Sequence, residues 1–193
     1  TGVAVPLRLI VSDDADLVNE VIVSTNRQNP VKEEQFWALR PFLKDFEEYV
    51  RNQPSPRTLY FERRENQYRF DDVPERVRII DASALLKSVV AMFLCLPNRA
   101  GRDFRQIKKE YDNMLFLPGH NVSPYFAAAY AHFRVEYLFR TKRIGVENKI
   151  YRMFLIWFVG RYSGGDLSKV DLSSPKIGAT SEAILSLLDD EAK

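Results

Sequence analysis

Ala84 to Leu96 reads Ala-Leu-Leu-Lys-Ser-Val-Val-Ala-Met-Phe-Leu-Cys-Leu and is closed by Pro97. A helix this apolar presents no wet face, so it must sit at the centre of a core with other elements on every side. Asp81 or Ser83 caps it, and Val77 to Ile80 feeds it as a short strand. The remaining chain has to supply the walls.

Several segments carry the stripes that such walls need. Phe42, Phe46, Tyr49 and Val50 recur at helical spacing behind Pro41, a residue suited to a first helical turn. Gly101 to Leu115 places Phe104, Ile107, Tyr111 and Leu115 on one face. Ser123-Pro124 opens the longest helix, to about Arg140, with Phe126, Tyr130, Phe133 and Tyr137 along it. Asn148 to Tyr162 is another apolar helix, and Thr180 to Glu191 is a short terminal one. Val5 to Val11 reads as a strand. Leu17, Val18, Val21 and Ile22 follow on a helix capped by Ser12 or Asp13, and Lys32 to Ala38 begins another. Thr58 to Phe70 reads as a β-hairpin, with Glu65-Asn66 at its turn. The fold class is α+β: mainly α-helical, with a small sheet and hairpin in the N-terminal half and a C-terminal helical bundle. Residues 1–97 form a strand, helix and hairpin region. Residues 98–165 form a helical region packed on it within the same domain, and 166–193 form a polar linker with a terminal helix.

The 193 residues are 46% hydrophobic and 28% charged, ordinary for one globular domain. Cys95 is the single cysteine, so an internal disulfide is excluded and a cytoplasmic setting fits. No stretch is apolar for long enough to cross a bilayer; Ile150 to Gly160 is short and contains Arg152. Net charge is +2, yet six acids face three lysines from Asp166 onward, which leaves the body of the chain basic. Such a body permits contact with DNA or RNA without demanding it.

Catalytic chemistry is thin. His120 and His132 lack partners at metal-ligand spacing. Neither a nucleophile elbow, a phosphate loop nor a dinucleotide fingerprint occurs. Glu62-Arg63-Arg64 with Asp45 faintly echoes a metal-dependent nuclease, but Arg64 stands where a lysine would be needed, and an arginine does not act as a base. The expectation is therefore no catalytic residue, no metal and no cofactor. Binding is better supplied. Arg63 and Arg64 flank a tyrosine-rich hairpin in which Tyr68 can stack on a base. Arg102, Arg105 and Lys109 fall at helical spacing opposite the Phe104 stripe. Asn26, Gln28 and Asn29 crowd three side-chain amides into four residues before Pro30. On chemistry alone these amides read first as a helix end closed by proline, with a polar binding pocket as the alternative.

The order of several blocks is similar to a known family. Thr25-Asn26-Arg27-Gln28-Asn29-Pro30-Val31-Lys32 follows Asp16-Leu17-Val18-Asn19-Glu20-Val21-Ile22. Pro41 to Tyr49, Leu59 to Arg64, Gln67-Tyr68 and Ile80-Asp81 come after, then the apolar helix. In this order they resemble the abortive infection phage resistance (AIPR) family. The resemblance implies a bacterial antiviral role and a longer protein, of which this chain is the C-terminal part. A nuclease-like domain would lie upstream. On that reading the chain is a non-catalytic module that contacts nucleic acid or braces the upstream domain. The alternative is a structural module whose aromatic helices between Ser123 and Tyr162 build a homo-oligomer.

Overall fold

The computed structural model describes residues 11, 13–14, 17–18, 21 and 37–190. The chain divides into two compact units, Thr1–Lys32 and Glu33–Lys193. In the first, the Leu17 N–H donates to Asp14 Oδ1 at 3.2 Å and the Val18 N–H to the Asp14 carbonyl at 3.0 Å. Asp14 is thus the residue that caps this helix, next to the Ser12 or Asp13 expected. The Val5–Val11 strand lies outside the described residues except for Val11, and the Lys32–Ala38 helix outside them except for its last two residues.

The second unit begins its regular structure with α1 (Pro41–Arg51), which buries Phe42, Leu43, Phe46 and Val50. Pro41 sits in its first turn, where a missing N–H costs nothing. Next come two short strands, β1 (Tyr60–Glu62) and β2 (Ile79–Asp81). They are followed by α2 (Ala82–Met92), α3 (Pro97–Ala100), α4 (Phe104–Tyr111) and α5 (Val122–Arg140). A 3-10 turn over Val146–Tyr151 leads into α6 (Arg152–Gly164), and α7 (Ile177–Asp190) closes the described chain. The architecture is mainly α-helical with a small β part, as the periodicity indicates.

The strands do not form the expected hairpin. β1 pairs with β2 in parallel, with Tyr60 opposite Ile79, Phe61 opposite Ile80 and Glu62 opposite Asp81. The residues meant to return as the second hairpin strand turn away instead. Gln67 Oε1 accepts from the N–H groups of Arg63 and Arg64 at 3.0 and 3.3 Å. Those are donors a returning strand would have used. Asn66 takes φ +61°, a left-handed conformation that asparagine tolerates, and Tyr68 drops into the core. Side-chain capture of the backbone is a local competitor to strand pairing, and here it wins.

α2 occupies the centre. Leu85, Leu86, Val89, Val90, Ala91 and Met92 are all buried, and Asp81 caps the helix by accepting from the Ala84 N–H at 2.7 Å. It packs against α5 and α6, and α5 packs in turn on α7. α5 carries Tyr125, Phe126, Tyr130, Phe133 and Phe139, all buried, with Ala127, Ala128, Ala129 and Ala131 between them. Alternating large and small side chains lets neighbouring helices approach closely while the rings fill the volume between. The segment 166–176 between α6 and α7, polar in sequence, still anchors Leu167 and Leu172 in the core.

Candidate functional site

The residues expected to bind fall into three groups. Asn26, Gln28 and Asn29 lie outside the described residues. Arg63 is half-buried: its Nε donates to the Ala38 carbonyl at 2.8 Å, and Nη1 pairs with Glu47 at 3.3 Å. Tyr68 is buried, with its hydroxyl within hydrogen-bonding distance of Arg51, Glu47, Gln67 and the Phe61 carbonyl. Burial, more than any partner, pushes its phenol upward in pKa. Arg63 and Tyr68 therefore knit α1 to the ribbon, which leaves Tyr68 no free ring face for a base. Arg64 is exposed.

Arg102 precedes α4 and pairs with Glu110 at 3.2 Å, and Arg99 reaches the same carboxylate at 3.3 Å. Arg105 and Lys109 are exposed on α4, one turn apart, opposite buried Phe104, Ile107 and Tyr111. Of the nuclease-like residues, Asp45 lies on the outer face of α1, and Glu62 sits in register with Asp81. Burial and then the neighbouring Asp81 carboxylate raise the pKa of Glu62. Among the described residues no group of three or more His, Cys, Asp or Glu side chains could hold a metal ion.

Lys109 lines a cleft of about 880 Å3 together with Arg40, Asp112, His120, Phe42 and Phe116. Its geometry comes from one hydrogen-bonded chain. Tyr125 Oη accepts from the Phe116 N–H at 2.9 Å and lies 2.6 Å from His120 Nδ1. The hydroxyl thus bridges the Phe116 backbone and the His120 ring. Burial lowers the pKa of His120 against the opposing pull of Asp171, which favours the neutral ring. Phe116 takes φ +57°, uncommon for a bulky residue, and its ring meets Trp37 edge-on at 4.6 Å. Trp37 Nε1 and Arg40 both donate to Asp112, at 2.8 and 2.7 Å, so the charge in this wall is largely neutralised internally.

The most conspicuous surface lies elsewhere. α6 is apolar over most of its surface, yet only one side meets α2, α5 and α7. On the other side Phe154, Phe158 and Tyr162, with Ile150 of the preceding 3-10 turn, follow each other at four-residue intervals; Ile150, Phe154, Phe158 and Tyr162 have 79%, 45%, 57% and 70% of their surface exposed. Val146 and Tyr151, on the turn that leads into α6, are exposed as well. Phe158 and Tyr162 stack at 5.9 Å. The helical charges are already paired: Arg152 with Glu136, and Arg161 with Asp166 at 3.5 Å. Sequence reasoning marked this helix as apolar but could not say which side the core would leave uncovered.

The fold and surface define a helical module built on a small parallel ribbon, with an uncovered aromatic face. The AIPR protein family matches residues 1–170, and the chain belongs to that family. Membership ties it to abortive infection and phage resistance. No curated protein and no solved structure matches the chain. Among the described residues no helix is long and apolar enough to cross a membrane.

Proposed function

We propose that this chain is a non-catalytic assembly module of a phage-defence protein, pairing with a second copy of itself through the outer face of α6. The supporting observation is the row Ile150, Phe154, Phe158 and Tyr162, with Val146 and Tyr151 beside it. Exposed aromatic area on this scale marks an interaction surface on a globular protein. The six side chains expose on the order of 800 Å2 together, about what each partner of a standard interface buries. A two-fold pairing brings one strip against its own copy. Arg152 and Arg161 are already paired within each chain, so neither brings an unpaired charge to the contact.

Sedimentation across a concentration series tests this. The expected result is a dimer that Phe154→Ser/Phe158→Ser converts to a folded monomer. A wild-type chain that stays monomeric at high concentration overturns self-pairing and leaves the strip to another part of a longer protein, such as an upstream domain.

A second reading, contact with single-stranded DNA or RNA, is favoured by Phe70. Its ring is 91% exposed, with the Arg69 guanidinium 5.4 Å from its centroid and exposed Arg64 in the same turn segment. A ring beside cations is how proteins stack bases while tracking phosphates. Salt-sensitive oligonucleotide binding that weakens in Phe70→Ala supports this reading, and no binding at low salt removes it.

A further inference from the structure

We propose that the cavity beside His132 is a binding site for the phosphate group of a small phosphorylated ligand. The cavity measures about 310 Å3 and is walled by β2, the first turns of α2, the second half of α5 and the start of α6. That volume is at the small end of ligand pockets. Four cations line it, Arg76, Lys87, Arg140 and Arg152, against two carboxylates, Asp81 and Glu136.

Both carboxylates are already engaged. Asp81 accepts from the Ala84 N–H at 2.7 Å, and Glu136 pairs with Arg152. Arg76 donates to the carbonyls of Tyr68 and Arg69, which are neutral acceptors, so its charge is not cancelled. The side chains of Lys87 and Arg140 have no hydrogen bond or ion pair among the described residues. The cavity thus holds positive charge in excess, with donors of two shapes: the compact ammonium of Lys87 and the planar fork of Arg140. A phosphate group, with several oxygens that accept in different directions, satisfies both at once.

His132 gives the site a second signature. Ser88 Oγ donates to the Ala84 carbonyl at 2.7 Å and lies 3.3 Å from His132 Nδ1. With its proton committed, the serine oxygen accepts from Nδ1–H, so Nε2 is the bare nitrogen. Burial first, then Arg152 and Lys87, push His132 down to about 4, while Asp81 pulls the other way. An anion seated among these cations offsets their effect and gives a protonated Nε2 an acceptor. Binding should therefore raise the pKa of His132 and add proton uptake at that ring, on top of the proton release that a cationic cavity draws from the phosphate's own second ionisation.

Calorimetric titration of the 193-residue chain at fixed ionic strength tests the site with inorganic phosphate, adenosine monophosphate and adenosine. We expect saturable one-to-one binding of at least one phosphate-bearing probe and none of adenosine. Tighter binding of the nucleotide assigns the source to a phosphomonoester, and tighter binding of inorganic phosphate assigns it to the free anion. Lys87→Gln/Arg140→Gln should weaken the bound probe at least tenfold while leaving the unfolding midpoint of the free chain near wild type, because neither side chain holds the fold together. Heats measured in two buffers of different ionisation enthalpy should show more protons taken up by the wild-type chain than by His132→Gln, the phosphate's own ionisation being common to both. The proposal is overturned by absence of saturation with both phosphate probes, by equal affinity for adenosine and its monophosphate, or by unchanged affinity in the double variant.

Discussion

Arg57 Nε donates to Asp189 Oδ2 at 2.7 Å, joining residues 132 positions apart in the chain. The same guanidinium grips Glu182 with Nη1 and Nη2 at 3.1 and 2.8 Å, and Tyr130 Oη donates to the other oxygen of Asp189 at 2.9 Å. A loop, α5 and α7 are thereby tied at one point. Arg57→Met should cost about 1–3 kcal/mol in chemical denaturation, since it strands a half-buried carboxylate. Glu182→Gln, whose side chain is 59% exposed, should cost well under half of that. Equal losses would show that the network is not centred on Asp189.

The two arginines that look alike in sequence should part company in stability. Arg63→Ala removes a bond to the Ala38 carbonyl and an ion pair with Glu47, and is expected to destabilise by about 1–3 kcal/mol. Arg64→Ala touches an exposed side chain and should stay within about 0.5 kcal/mol of wild type. Urea midpoints of the two variants decide it.

At Gly160, α6 packs tightly against α2. A Cβ there would lie 2.6 Å from Met92 Cγ and 3.2 Å from Leu167 Cδ1, and Met92 is fully buried. Gly160→Val should therefore cost about 2–3 kcal/mol through overpacking, despite glycine's poor helix propensity. Met92→Ala opens space at the same spot, so Gly160→Ala/Met92→Ala should be more stable than the sum of the single losses implies. Strict additivity would show that the helices separate to relieve the clash.

Acid should loosen the fold through its histidines. The folded pKa of His132 is about 4, below the unfolded value near 6.5, and that of His120 is lowered too. Between the folded and unfolded values the unfolded chain binds more protons, so stability is fully present above about 6.5 and falls as pH drops toward 4. For His132 the loss is of order 3 kcal/mol at most. His132→Gln should flatten the slope of stability against pH in that window. An unchanged slope would assign the acid sensitivity to other groups.

Much of this architecture is legible in one dimension. The run Ala84–Leu96 states that a helix must be surrounded, and α2 is; its start is signalled by Asp81, which caps as expected. Pro41 and the aromatic spacing of α5 likewise place helices, because periodicity and end signals are local properties of the chain. Family membership is equally a property of sequence order, and it covers residues 1–170.

What only the tertiary structure decided is which groups meet. Gln67 taking the amides of Arg63 and Arg64, and β1 turning to Ile79–Asp81 for a partner, depend on contacts that no propensity encodes. Arg63, Arg64, Arg102 and Lys109 are chemically similar in the sequence. In the fold, Glu47 and Glu110 neutralise two of them while Lys109 lines a cleft. The uncovered side of α6 and the cationic cavity at His132 are likewise invisible to spacing. An apolar or charged residue declares its chemistry by itself, whereas burial and pairing depend on the neighbours that long-range packing brings.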